Sequence, residues 1–142
     1  MSNIYLIGNT SEDRKAIAAS LQKFLPFTIL EMDEAVERVE CMSISEVVEK
    51  KGEEEIQNAK TALIKIVSKQ NNQIISCDDQ VLLNEENISV MRETGTVVKL
   101  VSGENINDNG NGGEIIVNTK DMGTADVASE IVKQLALAGR LN

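Results

Sequence analysis

Asn3-Ile4-Tyr5-Leu6-Ile7-Gly8-Asn9-Thr10-Ser11-Glu12-Asp13-Arg14-Lys15-Ala16 runs from an apolar segment through a glycine and a short polar loop into an amphipathic segment. Strand, glycine turn and helix N-terminus is the local geometry of a phosphate-binding loop, in which backbone N–H groups and the helix dipole face an anion. Thr10 or Ser11 is placed to cap the helix, and Glu12 and Asp13 stand in its first turn, where the dipole favours negative charge. Ile17, Leu21, Phe24 and Leu25 then fall on one helical face, and Pro26 stops the helix.

Outward from that stretch, strand and helix signals alternate. Phe27–Met32 reads as a second strand, and Asp33 as the cap of a brief helix carrying Ala35, Val36 and Val39. Ser43-Ile44-Ser45-Glu46 is a capping-box signature, with Gly52 as the stop of its helix. Ile56, Ala59, Leu63, Ile66 and Val67 mark a longer helix. Gln73–Cys77 reads as a third strand and Asp78-Asp79-Gln80 as a turn. Asn84 caps a helix over 85–93 that Gly95 ends, and Thr96–Val101 is a β-branched fourth strand. A polar loop, SGENINDNGNGG, occupies 102–113, Glu114–Val117 is a fifth strand, and a last helix covers 124–138 with Val127, Ile131 and Leu135 on one face. The strands are unbroken apolar runs rather than alternating ones, which indicates a parallel sheet covered on both sides: a three-layer α/β/α domain.

Composition narrows the chemistry. The 142 residues suit one domain, residues 1–142, without an internal repeat or linker. With one Tyr, two Phe and no Trp, the core must be built from aliphatic side chains. There is no histidine, which removes the commonest general base and transition-metal ligand. A net charge of −9 excludes a nucleic-acid surface, which needs a basic patch. No apolar run reaches the roughly 20 residues of a membrane span, and the N-terminus lacks the basic region of a signal peptide. Cys41 and Cys77 are far apart and follow no motif, as expected of reduced thiols in a cytoplasmic protein.

The order NIYLIG (3–8), LPF (25–27), EMDE (31–34), MSISEVVEKKGEEE (42–55), IIS (74–76), LNEEN (83–87) and GTVVKL (95–100) resembles the shikimate kinases of the P-loop NTPase class. Met42–Glu55 is its most specific part, close to the family's MSISEIFEKKGEEEF. The resemblance implies a five-stranded parallel sheet between helices and transfer of the ATP γ-phosphoryl group to a shikimate hydroxyl with Mg²⁺. Carried over by position, it makes Gly8, Ser11, Asp13, Arg14 and Lys15 the nucleotide-binding candidates. The family's loop is G-x-x-G-x-G-K-[ST]; only Gly8 matches, while Ser11 and Asp13 replace glycines, Arg14 the lysine and Lys15 the Mg²⁺-binding hydroxyl. A carboxylate at 13 obstructs and repels a phosphate, at a cost on the order of 1–4 kcal/mol for unit charges about 4 Å apart. A capped helix start accounts for the same residues without a ligand.

Glu31-Met32-Asp33 resembles the family's D-x-D, in which the first acid helps hold Mg²⁺ through water and the second contacts shikimate; Asp33 matches, Glu31 is a conservative change, and the two are the metal candidates. Asp33, Gln57, Asp78 and Asp79 are the substrate-like positions. Gln57 stands where the family's carboxylate-gripping arginine would be, and offers neither charge nor a bidentate fork. Asp78 and Asp79 stand in the family's S-T-G-G-G segment, and 102–113 holds no Arg or Lys where the family carries a lid. Losing these groups together implies a catalytically inactive shikimate-kinase-like protein with a shortened lid region (102–113), a binding or regulatory module without a cofactor, monomeric or a small homo-oligomer, acting through an unidentified protein partner. One alternative is a residual ATP-dependent small-molecule kinase of aromatic amino-acid biosynthesis, which would use Mg²⁺ and ATP. The other is a divalent-cation-binding domain built on Glu31, Asp33, Asp78 and Asp79; Asp108, Asn109, Gly110 and Asn111 superficially resemble a calcium loop but lack its D-x-[DN]-x-[DN]-G-x₅-E register, as a plain connection would.

Overall fold

A computed structural model describes residues 3–102 and 115–139. The apolar start forms β1 (Asn3–Gly8), followed by α1 (Ser11–Leu21), β2 (Thr28–Glu31), α2 (Met32–Glu40), α3 (Ile44–Lys51) and α4 (Glu53–Val67). Then come β3 (Gln73–Cys77), a 3₁₀ turn over Asp79–Leu83, α5 (Glu85–Thr94), β4 (Gly95–Val101), β5 (Ile115–Asn118) and α6 (Thr124–Leu137). The five strands pair in the order β2-β3-β1-β4-β5, all parallel. This is the three-layer α/β/α fold expected from the sequence.

β1 explains why its run is apolar throughout. Successive side chains point to opposite faces of a strand. Ile4 and Leu6 enter the layer formed with Ile17, Leu21, Ile131 and Leu135 of α1 and α6. Tyr5 and Ile7 enter the other, with Ile64 of α4 and Met91 of α5. Each fully buried aliphatic side chain here contributes about 1.5–3 kcal/mol. The lone tyrosine also satisfies its hydroxyl, 2.6 Å from Thr94 Oγ1. At the other end of β1, the Asn3 amide donates to the Gln70 carbonyl at 3.0 Å and Asn3 Oδ1 accepts from Gln73 N at 3.1 Å.

Several boundaries differ from the sequence reading. α1 stops at Leu21, so Phe24 lies beyond the helix and is 53% exposed rather than on its apolar face. Val39 and Ile66, expected on core faces, are exposed as well. β2 is shorter than 27–32, and α2 is capped by Glu31, whose carboxylate accepts Asp33 N at 3.3 Å; Asp33 is not the cap. Gly95 opens β4 instead of only ending α5. Its backbone is extended, and a Cβ there would sit 2.2 Å from Asn3 O, so glycine is required for strand approach rather than for helix termination. Fifth strand and last helix start or end within a residue of expectation. The polar loop falls almost wholly outside the described residues.

The capping box forms as read. Ser43 Oγ accepts Glu46 N at 3.2 Å, and Glu46 returns its carboxylate to the Ser43 backbone. Ser43→Ala is expected to lower stability by about 1 kcal/mol without changing the fold, measurable as a shifted urea midpoint at constant slope.

Candidate functional site

Ligands of open parallel sheets bind beyond the carboxyl ends of the strands, where the strand order reverses. Here that place is the end of β1, between β3 and β4. Gly8 adopts φ +100°, and a Cβ would lie 2.3 Å from Leu100 O on β4, so both conformation and space demand glycine. Asn9 follows with φ 50°, and Asn9 Nδ2 donates to Thr119 Oγ1 after β5 at 3.0 Å. Thr10, not Ser11, is the cap: its hydroxyl accepts Asp13 N at 3.1 Å and its carbonyl accepts Arg14 N at 3.0 Å. The turn is therefore two residues long, and Ser11, Glu12 and Asp13 belong to the first turn of α1.

Arg14 dominates the site. Only 2% exposed, it folds beneath the turn instead of facing the solvent. Its Nε donates to Ser76 Oγ at 2.8 Å, and Nη1 donates to the Gly8 and Asn9 carbonyls at 2.9 and 3.3 Å. Nη2 lies 3.9 Å from Glu31 Oε1, whose carboxylate is 5% exposed. Glu31 Oε2 has no hydrogen-bond partner among the described residues. One guanidinium thus ties together the ends of β1, β2 and β3. Lys15, by contrast, points outward into an exposed ion pair with Glu34, whose hydrogen bond and charge raise the lysine pKa. Cys77, wholly buried beside this cluster, has its thiol pushed up to about 12 by desolvation and is no nucleophile.

A second buried cation lies on α4. Lys60 on α4 is 3% exposed, and its ammonium lies 3.0 Å from Asp33 Oδ1 and 2.8 Å from Asp78 Oδ2. Burial alone would lower its pKa, but the hydrogen bond and charge of Asp78, helped by Asp33, raise it above the ordinary lysine value. Gln57 Nε2 donates to Gln80 Oε1 at 2.9 Å. Asp78 also caps the 3₁₀ turn through Gln80 N, and Asp79 is exposed at its start, away from Lys60's ion pairs.

The site candidates therefore separate. Arg14 and Glu31 share one buried cluster; Asp33 and Asp78 share Lys60; Asp13, Lys15 and Asp79 lie at the surface. Glu31 and Asp33, paired in the sequence as a metal site, face different cations, and among the described residues no group of three or more acids, cysteines or histidines is arranged to hold a metal. Asp108, Asn109, Gly110 and Asn111 fall outside the described residues. Lys60 was missing from the candidates. Its signal was present: Ile56, Lys60, Ile64 and Val67 are the buried positions of α4, so a lysine occupies an apolar row. Arg14 likewise heads the row Arg14, Ile17, Ala18, Leu21.

The sequence profile described as "SKI: Shikimate kinase" matches residues 15–106. A shikimate kinase of Thermodesulfovibrio yellowstonii is 29% identical over 106 residues, 75% of this chain and 61% of the relative. One from Aquifex aeolicus is 32% identical over 95 residues, 67% of this chain and 56% of the relative. The chain thus matches about three fifths of the length of these relatives. Among solved structures, shikimate kinase from Aquifex aeolicus superposes with a TM-score of 0.83 at 24% identity, covering 96% of this chain and 98% of that one. Shikimate kinase from Acinetobacter baumannii in complex with shikimate gives 0.83 at 17% identity, covering 100% and 96%. Sequence profile and fold converge: this chain belongs to the shikimate kinase family.

Proposed function

We propose that this protein is a catalytically inactive member of its family, retained as a cytoplasmic binding or regulatory module. The observation that carries the reading is Arg14. Phosphoryl transfer depends on positioning and on positive charge around the transferred group. Arg14, which stands where the family's loop lysine would be, is spent on backbone carbonyls, Ser76 and Glu31. Mg·ATP does not fit the residues present. The segment that would wrap the phosphates is the first turn of α1, Glu12 and Asp13 add negative charge there, and Lys15 offers no hydroxyl to a metal. The residual-kinase alternative needs Gly8, Arg14 and Lys15 around a phosphate, but Arg14 is held beneath the turn and Lys15 points outward to Glu34.

No helix among the described residues is long and apolar enough to cross a membrane, and both thiols are free. The free thiols suit the reducing cytoplasm, and the net charge of −9 supports a partner other than nucleic acid.

The test is a phosphoryl-transfer assay with Mg·ATP and shikimate on rigorously purified protein. The expected result is no product above a no-protein control, and no rise in Tm with millimolar Mg·ATP. Turnover above that control overturns the reading.

A further inference from the structure

A cavity of about 290 Å³ opens beside Lys60, between α3, α4 and the 3₁₀ turn. Its size is at the lower end of small-ligand pockets, which run from roughly 300 Å³ upward. Three features of its wall set the ligand chemistry. First, Lys60 is its sole basic residue, and that ammonium is already held by two carboxylates and nearly sealed from solvent. An anionic ligand would find no uncommitted cation. Second, the same wall carries four carboxylates, Asp33, Asp78, Glu53 and Glu54, and the two aspartates remain 41% and 35% exposed after pairing with Lys60. Third, Ile44, Val48 and Ile56 give the cavity an apolar side, the half-exposed Val48 among them. Carboxylates facing an aliphatic wall across a concave space suit an organic cation with a hydrocarbon stem. They do not suit a bare metal ion, which would leave the apolar wall wet.

We propose that this cavity binds a small organic cation, an aliphatic or alicyclic amine or guanidine, with its charge toward Asp33 and the Glu53–Glu54 rim and its stem against Ile44, Val48 and Ile56. This assignment rests on reading the chain as a binding module. It reverses the charge preference implied by a carboxylate-gripping arginine at position 57. Gln57 is the pivot: its amide, bonded to Gln80, leaves position 57 uncharged where an arginine would place a cation among the carboxylates.

The test is a ¹⁵N–¹H titration at low salt, without nucleotide, using agmatine as the guanidinium probe and shikimate as the anionic one. Agmatine should produce saturable shifts at Gln57, Lys60 and Gln80, and shikimate none. Glu53→Gln with Glu54→Gln, both exposed and safe for the fold, should raise the agmatine Kd about tenfold. Gln57→Arg should abolish agmatine binding, and 0.5 M salt should weaken it in the wild type. Absence of saturable agmatine shifts, equal binding of shikimate, or an unchanged Kd in the double variant overturns the assignment. Because no nucleotide is present, such a failure leaves the inactivity reading standing, whereas phosphoryl-transfer turnover defeats that reading and not the ligand class.

Discussion

Arg14→Ala is expected to lower Tm by about 10–20 °C or to prevent folding, while Lys15→Ala, one position on, stays close to wild type. Removing one partner of a buried ion pair costs about 3–5 kcal/mol, because the other charge is left uncompensated. A domain of this size has roughly 5–15 kcal/mol in total, and 1 kcal/mol moves Tm by a few degrees. Alanine at 14 leaves the Glu31 carboxylate buried without its cation, and Ser76 Oγ and the Gly8 and Asn9 carbonyls without their donor. Glu31 has no reserve, since one of its oxygens already lacks a partner among the described residues. Arg14→Lys should fall between the two. An ammonium can reach one or two of these acceptors but cannot span three strand ends with a planar fork. Lys15 is half exposed and paired with an exposed Glu34, a contact that water replaces. Thermal or urea denaturation reads all three variants. An Arg14→Ala protein within a degree or two of wild type would contradict the role assigned to the guanidinium.

The sheet was legible because burial on both faces leaves a mark that one strand carries alone. Residues 3–8 and 73–77 need no neighbour in view to be read as central strands. The helix faces are legible in α1 and α6, where Ile17, Leu21, Val127, Ile131 and Leu135 are buried, and less so in α4. Apolar residues alone give α4 the row Ile56, Ala59, Leu63, Ile66, Val67, of which Ile56 and Val67 are buried while Ile66 is 57% exposed. The buried row is Ile56, Lys60, Ile64, Val67. Long cationic side chains enter a core when anions wait there, and those anions, Glu31, Asp33 and Asp78, come from other elements. No local window shows that meeting. The same reason separates Glu31 from Asp33: two residues apart, they turn to cations on different helices. The family resemblance located these positions at strand ends, yet its residue roles could not say that the chain supplies its own counter-ions.

Those counter-ions make a second large effect testable. Lys60→Met should cost about 2–3 kcal/mol, less than the loss of Arg14, because Asp33 and Asp78 are partly solvated and water can screen their repulsion. Methionine keeps the stem's volume in the row of α4, so the loss reports charge rather than a cavity. Asp33→Asn with Asp78→Asn in the Lys60→Met background should recover part of it. The pH dependence separates this account from a packing defect. The folded-state pKa of Lys60 is raised, so its contribution is fully present below the unfolded lysine value of about 10.4 and is lost as pH rises through the higher folded value. The gap in urea midpoint between wild type and Lys60→Met should therefore be constant from pH 7 to 9 and close progressively above about pH 10.4. A packing defect would give a gap indifferent to alkali. A gap already absent at pH 8, or one that widens as pH rises, would mean that the two aspartates do not need the lysine they hold.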